Sequence, residues 1–184
     1  MLLTDPPIVT IRTAENHEPL IDLRDVPDLW LDERLADEHG AYARLRTTVV
    51  DRLVSAQRRL PYGVRLLIIE GYRPRRPDEA DLADPHHTGG AVDLTLCGED
   101  GVELDLGSRV NDSPEASANA CYTAARNIST TALRNRATLW GALRRVGLTN
   151  FPTEWWHWSY GDRYWALNNG VPNTLYAPIT DTLS

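Results

Sequence analysis

Residues 84–96 read DPHHTGGAVDLTL, a polar turn that runs directly into an apolar stretch. The apolar part, Gly90 to Leu96, predicts a central β-strand. Asp93 stands inside it, and a carboxylate buried in a strand is costly unless it is paired or bound to a metal ion. The alternative interpretation is that Asp93 caps a turn. Gly89 allows the tight backbone turn that would bring an upstream side chain to the same place.

Two adjacent histidines, His86 and His87, precede the strand. Imidazole nitrogen and carboxylate oxygen are standard zinc ligands, so a histidine and Asp93 together suit a zinc ion. Neighbouring side chains in extended backbone point in opposite directions, so only one of the two histidines is expected to face the ion. The residue types leave open which one it is, and they also allow both to be ordinary surface residues.

A second polar cluster lies in TEWWHW, residues 153–158, where two tryptophans separate Glu154 from His157. On a regular strand these two side chains would face opposite sides, so they reach one site only if the backbone bends or bulges. The three tryptophans would give such a site rigid, water-poor walls. Taken alone, the stretch also fits the aromatic edge of a core with a solvated glutamate.

The two clusters gain meaning when they are combined. One of the two histidines, Asp93 and His157 make three ligands, and three protein ligands with an open fourth position are the pattern of a catalytic zinc site. Glu154, close to a ligand, would then take a proton from water at that site. The combination predicts a hydrolase.

The rest of the chain alternates helical and strand patterns. Helices are predicted from about Asp32 to Leu60 and from Thr131 to Val146, and strands at Ile8–Ile11, Val64–Ile69 and Glu154–Tyr160. The tail beyond Asn168 is expected to wrap the surface. Together these elements predict an α+β domain with a small, mainly antiparallel sheet and helices packed on one side.

Bulk properties fit one domain over residues 1–184, with 42% hydrophobic and 24% charged residues. The net charge of −7 argues against nucleic acid as a partner, because phosphate binding needs clustered Lys and Arg. No stretch reaches the roughly 18–20 apolar residues of a membrane span, and no signal peptide is recognisable. Two cysteines, Cys97 and Cys121, are too few for a disulfide framework. We therefore expect a cytoplasmic protein, and the sequence gives no oligomeric state.

Three motifs together resemble the zinc D-Ala-D-Ala peptidases of the M15 peptidase family. HHTGGAVD with its upstream Asp84 is similar to their S-x-H-x-x-G-x-A-x-D signature, and EWWH at 154–157 is similar to their E-x-W-H. EGYRP at 70–74 resembles the D-G-Y-R-P segment of the VanX-type D-alanyl-D-alanine dipeptidases. The likeness runs from about Val64 to Trp158, and it implies a hedgehog/DD-peptidase-like fold.

The resemblance also implies a role for several residues. The ligands of one zinc ion would be His86, Asp93 and His157, while His87 falls on a variable position. Glu154 matches the general base. Arg73 matches the arginine that stabilises the developing oxyanion, a task that suits an always-charged guanidinium.

The chain departs from the family pattern in the parts that read the substrate. Asp84 and Pro85 replace a pair of small residues, usually serine, and only Arg75 to Ala83 remains of a longer insertion. Asn111 stands where the family has the aspartate that holds the substrate's ammonium group, and Asp112 follows it. We therefore expect Asp84, Asn111 and Asp112 to contact substrate, with Asp84 the preferred ammonium partner. The alternative role of Asp84 is that of a turn residue ahead of Pro85.

Three functions compete. The first is a zinc-dependent metallopeptidase that hydrolyses a small dipeptide, D-Ala-D-Ala-like, with metal-activated water and Glu154 as base. The second is a zinc amide hydrolase of the same fold that acts on another small peptide or amide in cell-wall recycling or specialised metabolism. The third is a catalytically inactive, metal-stabilised binding module. The presence of Glu154 and Arg73 argues against the third, because binding alone needs neither.

Overall fold

The computed structural model describes residues 4–75 and 84–180, and within them it contains four α-helices and seven β-strands. The helices are α1 Pro6–Val9, α2 Thr47–Gln57, α3 Thr130–Arg145 and α4 Arg163–Asn169. The strands are β1 Leu20–Asp22, β2 Trp30–Leu31, β3 Arg44–Arg46, β4 Val64–Glu70, β5 Ala91–Gly98, β6 Thr149–Asn150 and β7 His157–Ser159. The expected α+β class is confirmed.

The main sheet has five strands in the order β2-β4-β5-β7-β6. Strand β2 runs parallel to β4, and the other neighbours are antiparallel. A separate two-stranded sheet pairs β1 with β3. The sheet is therefore mainly antiparallel, as predicted, and β4 and β5 lie at its centre.

The two faces of the sheet have different neighbours. Val92 of β5 lies opposite Trp158 of β7, and the next pair, Asp93 and His157, points to the other face. Trp158 is fully buried and packs edge-on against Trp140 of α3, with ring centroids 5.3 Å apart. Helix α3 therefore covers the Val92 face, and Asp93 lies on the face turned away from it.

The hydrophobic core joins α2 and α3 to the two central strands. Its deeply buried aliphatic members include Val49 and Leu53 of α2, Leu139 and Leu143 of α3, Leu66 and Ile68 of β4, and Leu94 and Leu96 of β5. Full burial of one such side chain stabilises the fold by about 1.5–3 kcal/mol. This core fixes β4 and β5 against the helices and leaves their site-facing residues on a rigid support.

Three predicted elements match the structure within a residue or two: Val64–Ile69 is β4, Gly90–Leu96 is β5 and Thr131–Val146 is α3. The long helix predicted from Asp32 is wrong, because α2 begins only at Thr47. Gly40 adopts a left-handed φ of +64°, and Arg44–Arg46 pairs with β1 as a strand. The hydrophobic spacing that suggested one helix therefore extends over a turn and a strand.

The ends of the chain also differ from the prediction. Residues 8–11 are not a strand, because Pro6 and Pro7 start the short helix α1, where a missing amide proton costs nothing. Helix α4 was not predicted, although Asp162 caps it by accepting a hydrogen bond from Trp165 N. The tail does more than wrap the surface: Tyr176 is fully buried. None of the helices within residues 4–75 and 84–180 has the length and apolar character of a membrane span.

Candidate metal centre

A row of three buried polar side chains crosses the sheet on the face turned away from α3. Glu70 of β4, Asp93 of β5 and His157 of β7 are direct neighbours across the strands. The pairing of β4 with β5 shifts by one residue between Ile68 and Glu70, which is a β-bulge. Without this shift Ile69 would lie opposite Asp93, so the bulge places a carboxylate there instead of an apolar side chain.

His86 reaches this row from a short 3-10 turn, Pro85–Thr88, directly before β5. Asp84 caps the turn, since its Oδ1 accepts a hydrogen bond from His86 N at 2.9 Å. Gly89 ends the turn with a left-handed φ of +69°, the tight turn that the sequence suggested. His86 Nε2 thereby lies 3.4 Å from Asp93 Oδ1.

The three side chains converge closely enough to hold one metal ion. His157 Nδ1 lies 2.9 Å from Asp93 Oδ1 and 3.2 Å from His86 Nε2. One ligand atom from each residue lies within 4.8 Å of the other two, and each residue is at most 4% exposed. Two imidazole nitrogens and one carboxylate oxygen that converge in this way fit the donor set that zinc prefers.

The orientation of the two adjacent histidines is fixed by backbone carbonyl groups. His86 Nδ1 donates to Gly71 O at 2.6 Å, which directs the lone pair of Nε2 toward the cluster. A Cβ on Gly71 would lie 2.5 Å from Arg44 O, so the close approach requires glycine. His87 Nδ1 instead donates to Arg73 O at 2.8 Å. The structure therefore brings His86 into the cluster and directs His87 elsewhere.

The electrostatics of the cluster favour positive charge. Burial opposes ionisation of Asp93, but His86 and His157 outweigh it and hold the pKa of Asp93 well below its usual range. Burial likewise opposes the imidazolium of His86, but the Asp93 carboxylate outweighs it and raises the pKa of His86 to about 9. The buried carboxylate thus attracts a cation into this position, be it a proton or a metal ion.

Glu154 lies beside this cluster because the backbone turns there. His157 N donates to Glu154 O at 3.2 Å, which closes a four-residue turn immediately before β7. Of the predicted strand Glu154–Tyr160, only residues 157–159 form a strand. The turn before it is the backbone bend that Glu154 and His157, three residues apart, need to reach one site. Burial raises the pKa of Glu154, which is the direction that suits a group exchanging protons near neutral pH.

Arg73 lies between two carboxylates. Its Nε and Nη2 donate to the two oxygens of Glu70 at 2.8 and 2.6 Å, and its Nη1 donates to Asp84 Oδ2 at 2.7 Å. The hydrogen bonds with Glu70 raise the pKa of Arg73, so the guanidinium keeps its charge. These contacts use three of its five N–H groups, and the side chain stays 42% exposed. Among the residues that the structure describes, the other two N–H groups have no acceptor, so they can bond a substrate oxygen.

Asn111 and Asp112 lie in the irregular segment between β5 and α3. Asn111 is exposed and has a left-handed φ of +67°, and Asp112 Oδ2 accepts a hydrogen bond from Arg109 N at 2.8 Å. The segment contacts the Glu154 turn through Ser108 Oγ, which accepts a hydrogen bond from Trp155 Nε1 at 2.8 Å. Their predicted contact with substrate stays a prediction. Most of the short connection Arg75–Ala83 lies outside the described residues.

Two further residues of the site escaped the sequence reasoning. Glu70, which holds Arg73, was quoted within EGYRP without a role, although it ends a buried strand three residues before the arginine. Asn150 donates hydrogen bonds into the turn that carries Glu154, and no pattern in the sequence marks it. The tryptophans were expected to line the site, yet Trp158 faces the helices instead.

Fold and site together define a class: an α+β protein with a buried His–Asp–His cluster that could hold one metal ion, on the face of its sheet turned away from α3. The chain belongs to the D-ala-D-ala dipeptidase family, peptidase family M15, which matches residues 75–176, more than half of its length. The predicted resemblance is thereby confirmed.

Two relatives carry the name D-alanyl-D-alanine dipeptidase. The one from Escherichia coli (strain K12) is 30% identical over 109 residues, which cover 52% of this chain and 54% of the relative. The one from Synechocystis sp. is 33% identical over 89 residues, or 45% of this chain and 36% of the relative. The chain thus spans between about a third and about half of the length of these curated relatives.

Proposed function

We propose that this protein is a zinc-dependent peptidase that hydrolyses a small dipeptide of the D-Ala-D-Ala type. One observation carries the proposal: buried nitrogen and oxygen ligands of His86, Asp93 and His157 converge, with Glu154 and Arg73 beside them. The names of the two relatives supply the substrate class. A binding module would need neither the half-buried glutamate nor the fixed arginine.

His86, Asp93 and His157 would hold the zinc ion. When bound, zinc lowers the pKa of a water molecule and polarises the carbonyl group that is attacked. Asp93 supplies the negative charge that compensates the cation in this buried position. The Gly71 carbonyl keeps His86 in the tautomer that binds a metal through Nε2.

Glu154 would act as the general base and then as the general acid. Its carboxylate accepts a proton from the attacking water and hands it to the nitrogen of the leaving amine, so no net proton is gained or lost by the protein. A raised pKa helps the second step, because a more basic carboxylate retains the proton until the amine takes it.

Arg73 would stabilise the negative charge that develops on the carbonyl oxygen. Glu70 holds the guanidinium through two hydrogen bonds and Asp84 through a third, so its free N–H groups are fixed in direction before substrate binds. Such preorganised donors stabilise a transition state without reorganisation during the reaction.

Metal analysis followed by a peptidase assay tests the proposal. We expect about one zinc per chain and hydrolysis of D,D-dipeptides in a panel that also contains L,D- and L,L-dipeptides. Glu154→Gln, which retains the shape of the side chain, is the matched inactive control. A zinc-loaded protein that cleaves no member of the panel faster than this variant would refute the proposed peptidase.

A second candidate function is hydrolysis of a different amide at the same zinc site. The favouring observation is that both oxygens of Asp84 already have partners, His86 N and Arg73 Nη1. Asn111 stands in place of a carboxylate and cannot form an ion pair. Neither Asp84 nor residue 111 therefore offers an unpaired carboxylate to the free ammonium group of a dipeptide. Cleavage of N-acetylated dipeptides at least as fast as of free ones would favour this candidate.

A further inference from the structure

A buried amide side chain lies inside the turn that carries Glu154. Asn150, the last residue of β6, is 5% exposed. Its Nδ2 lies 3.0 Å from Glu154 O and 2.9 Å from His157 O, with Trp155 O at 3.3 Å. Carbonyl oxygens only accept hydrogen bonds, so the NH₂ end of the amide must face the turn.

The other end of the amide is also bonded. Asn150 Oδ1 accepts a hydrogen bond from Thr123 Oγ1 at 2.6 Å. Thr123 belongs to the irregular segment between β5 and α3, and nearby Trp155 N donates to Cys121 O at 3.0 Å. The side chain of Asn150 therefore cannot rotate without breaking bonds on both sides.

The bonds of Asn150 go to the first and last residues of the turn. Glu154 is the residue whose position matters for catalysis. His157 is fixed by the pairing of β7 with β5 and by the contact of its ring with Asp93. One rigid side chain thus ties the backbone of Glu154 to the backbone of a fixed neighbour. Asn150 contacts His157 only through the backbone carbonyl oxygen, so none of the contacts described above joins its side chain to a metal-ligand atom or to the carboxylate of Glu154.

We propose that Asn150 is a positioning residue that holds Glu154 at a fixed place relative to His157, which deepens the proposed peptidase function and rests on it. Misplacement of a catalytic group by about 1 Å can cost on the order of 10²-fold in rate. The carboxylate of Glu154 depends on its backbone for that placement, and Asn150 is the side chain that bonds this backbone.

Asn150→Ala and Asn150→Asp test the proposal. The aspartate keeps the size of asparagine but turns an oxygen, in place of NH₂, toward carbonyl groups. We expect kcat to fall by about 10–100-fold in either variant while KM changes little and zinc content stays the same. Asn168→Ala is the control: it removes an asparagine that donates to one helical carbonyl, Tyr164 O, and should keep kcat.

A merely structural role is excluded by repeating the substitution in a Glu154→Gln background. If Asn150 acts through Glu154, Asn150→Ala should lower the residual rate of Glu154→Gln by less than about twofold, because effects that act through one group are not additive. An equal loss in both backgrounds, loss of zinc, or an unchanged kcat in the single variant would overturn the proposal.

Hydrogen exchange supplies a readout that does not depend on activity. The amide of His157, which donates to Glu154 O, should exchange about tenfold or more faster in Asn150→Asp, while β4 and β5 keep their protection. Unchanged exchange at His157 would overturn the positioning role even if the protein proved inactive. Absence of dipeptide hydrolysis in the unmutated protein together with faster exchange in the variant would instead refute only the peptidase.

Discussion

Asp84 Oδ2 accepts a hydrogen bond from Arg73 Nη1 at 2.7 Å, while its Oδ1 caps the turn that carries His86. Burial acts to raise the pKa of Asp84, but His86 and Arg73 outweigh it and keep the pKa below its usual range. One ionised carboxylate thus joins the predicted oxyanion arginine to the backbone of a predicted metal ligand. Its turn-capping role ahead of Pro85 is seen directly.

Asp84→Asn distinguishes the two roles of this carboxylate. If Asp84 binds the substrate's ammonium group, the change should weaken binding of free dipeptides by about 1.5–3 kcal/mol and leave N-acetylated ones unaffected. If Asp84 positions Arg73, both substrates should be hydrolysed more slowly by the same factor. We expect the second result, because both oxygens already accept hydrogen bonds. Steady-state kinetics on the paired substrates decide between them.

Zinc content should depend on His86 and not on His87. His86→Ala removes a converging ligand and should abolish stoichiometric zinc, whereas His87→Ala removes a ring that bonds Arg73 O and should retain it. A zinc concentration of 100 times Kd stabilises a folded protein by about 2.7 kcal/mol, so the unmutated protein should melt higher with zinc and His86→Ala should not. Metal analysis and thermal melts measure both effects. Retained zinc in His86→Ala would contradict the ligand set.

Glu154→Gln should keep zinc and the melting temperature while losing turnover. The amide cannot accept a proton, and general acid–base catalysis is worth about 10²–10⁴-fold. Rapid-quench assays of the zinc-loaded variant measure the loss. Turnover within about threefold of the unmutated protein would exclude Glu154 as the base.

Arg73→Ala and Arg73→Lys should both lower kcat more than they raise KM. Alanine removes the donors that face the developing charge, and loss of one such donor costs about 10²–10³-fold. Lysine keeps the charge but cannot bond Glu70 and Asp84 together in the fixed fork that the guanidinium makes, so it should rescue only part of the rate. Full activity of the lysine variant would mean that charge alone matters.

Asn111→Asp should improve hydrolysis of dipeptides with a free ammonium group. Residue 111 has a φ of +67°, a conformation that aspartate tolerates nearly as well as asparagine, so the fold should be unchanged. A carboxylate there would pair with ammonium, and kcat/KM for free dipeptides should rise relative to N-acetylated ones. An unchanged ratio would place residue 111 away from the substrate.

The sequence predicted the metal cluster better than its surroundings. One turn and one strand start separate the two adjacent histidines from Asp93, so local geometry predicts that one of them approaches it, and the family resemblance indicated His86. Glu70, in contrast, reaches Asp93 only through the bulge after Ile68, and strand pairing of this kind leaves no trace in one sequence. Asn150 is a similar case, because its partners depend on how the six-residue connection 151–156 folds back on β6.

The fold was predictable where burial follows a simple period. Strand β4 and helix α3 were predicted correctly, because β4 contains the apolar run Leu66–Ile69 and α3 has a regular buried stripe. The region from Asp32 to Arg46 was predicted wrongly as helix. Leu45 is buried in a strand there, but its position also fits the helical spacing of α2. When one apolar residue fits both a helical and a strand spacing, the sequence alone cannot show where the strand ends and the helix begins, because the partner of the strand is not known.

Successive side chains of the central strands point to opposite faces of the sheet, and this alternation determines which insertions and deletions the protein can tolerate. Asp93 faces the cluster only because Val92 and Leu94 face the helices, and His157 stands in the same relation to Trp158. Inserting or deleting a single residue in β5 or β7 would exchange the two faces, sending a carboxylate into the core and an aliphatic side chain to the metal. Length variation among functional descendants of this chain should therefore accumulate in connections such as residues 99–101 and stay out of these strands.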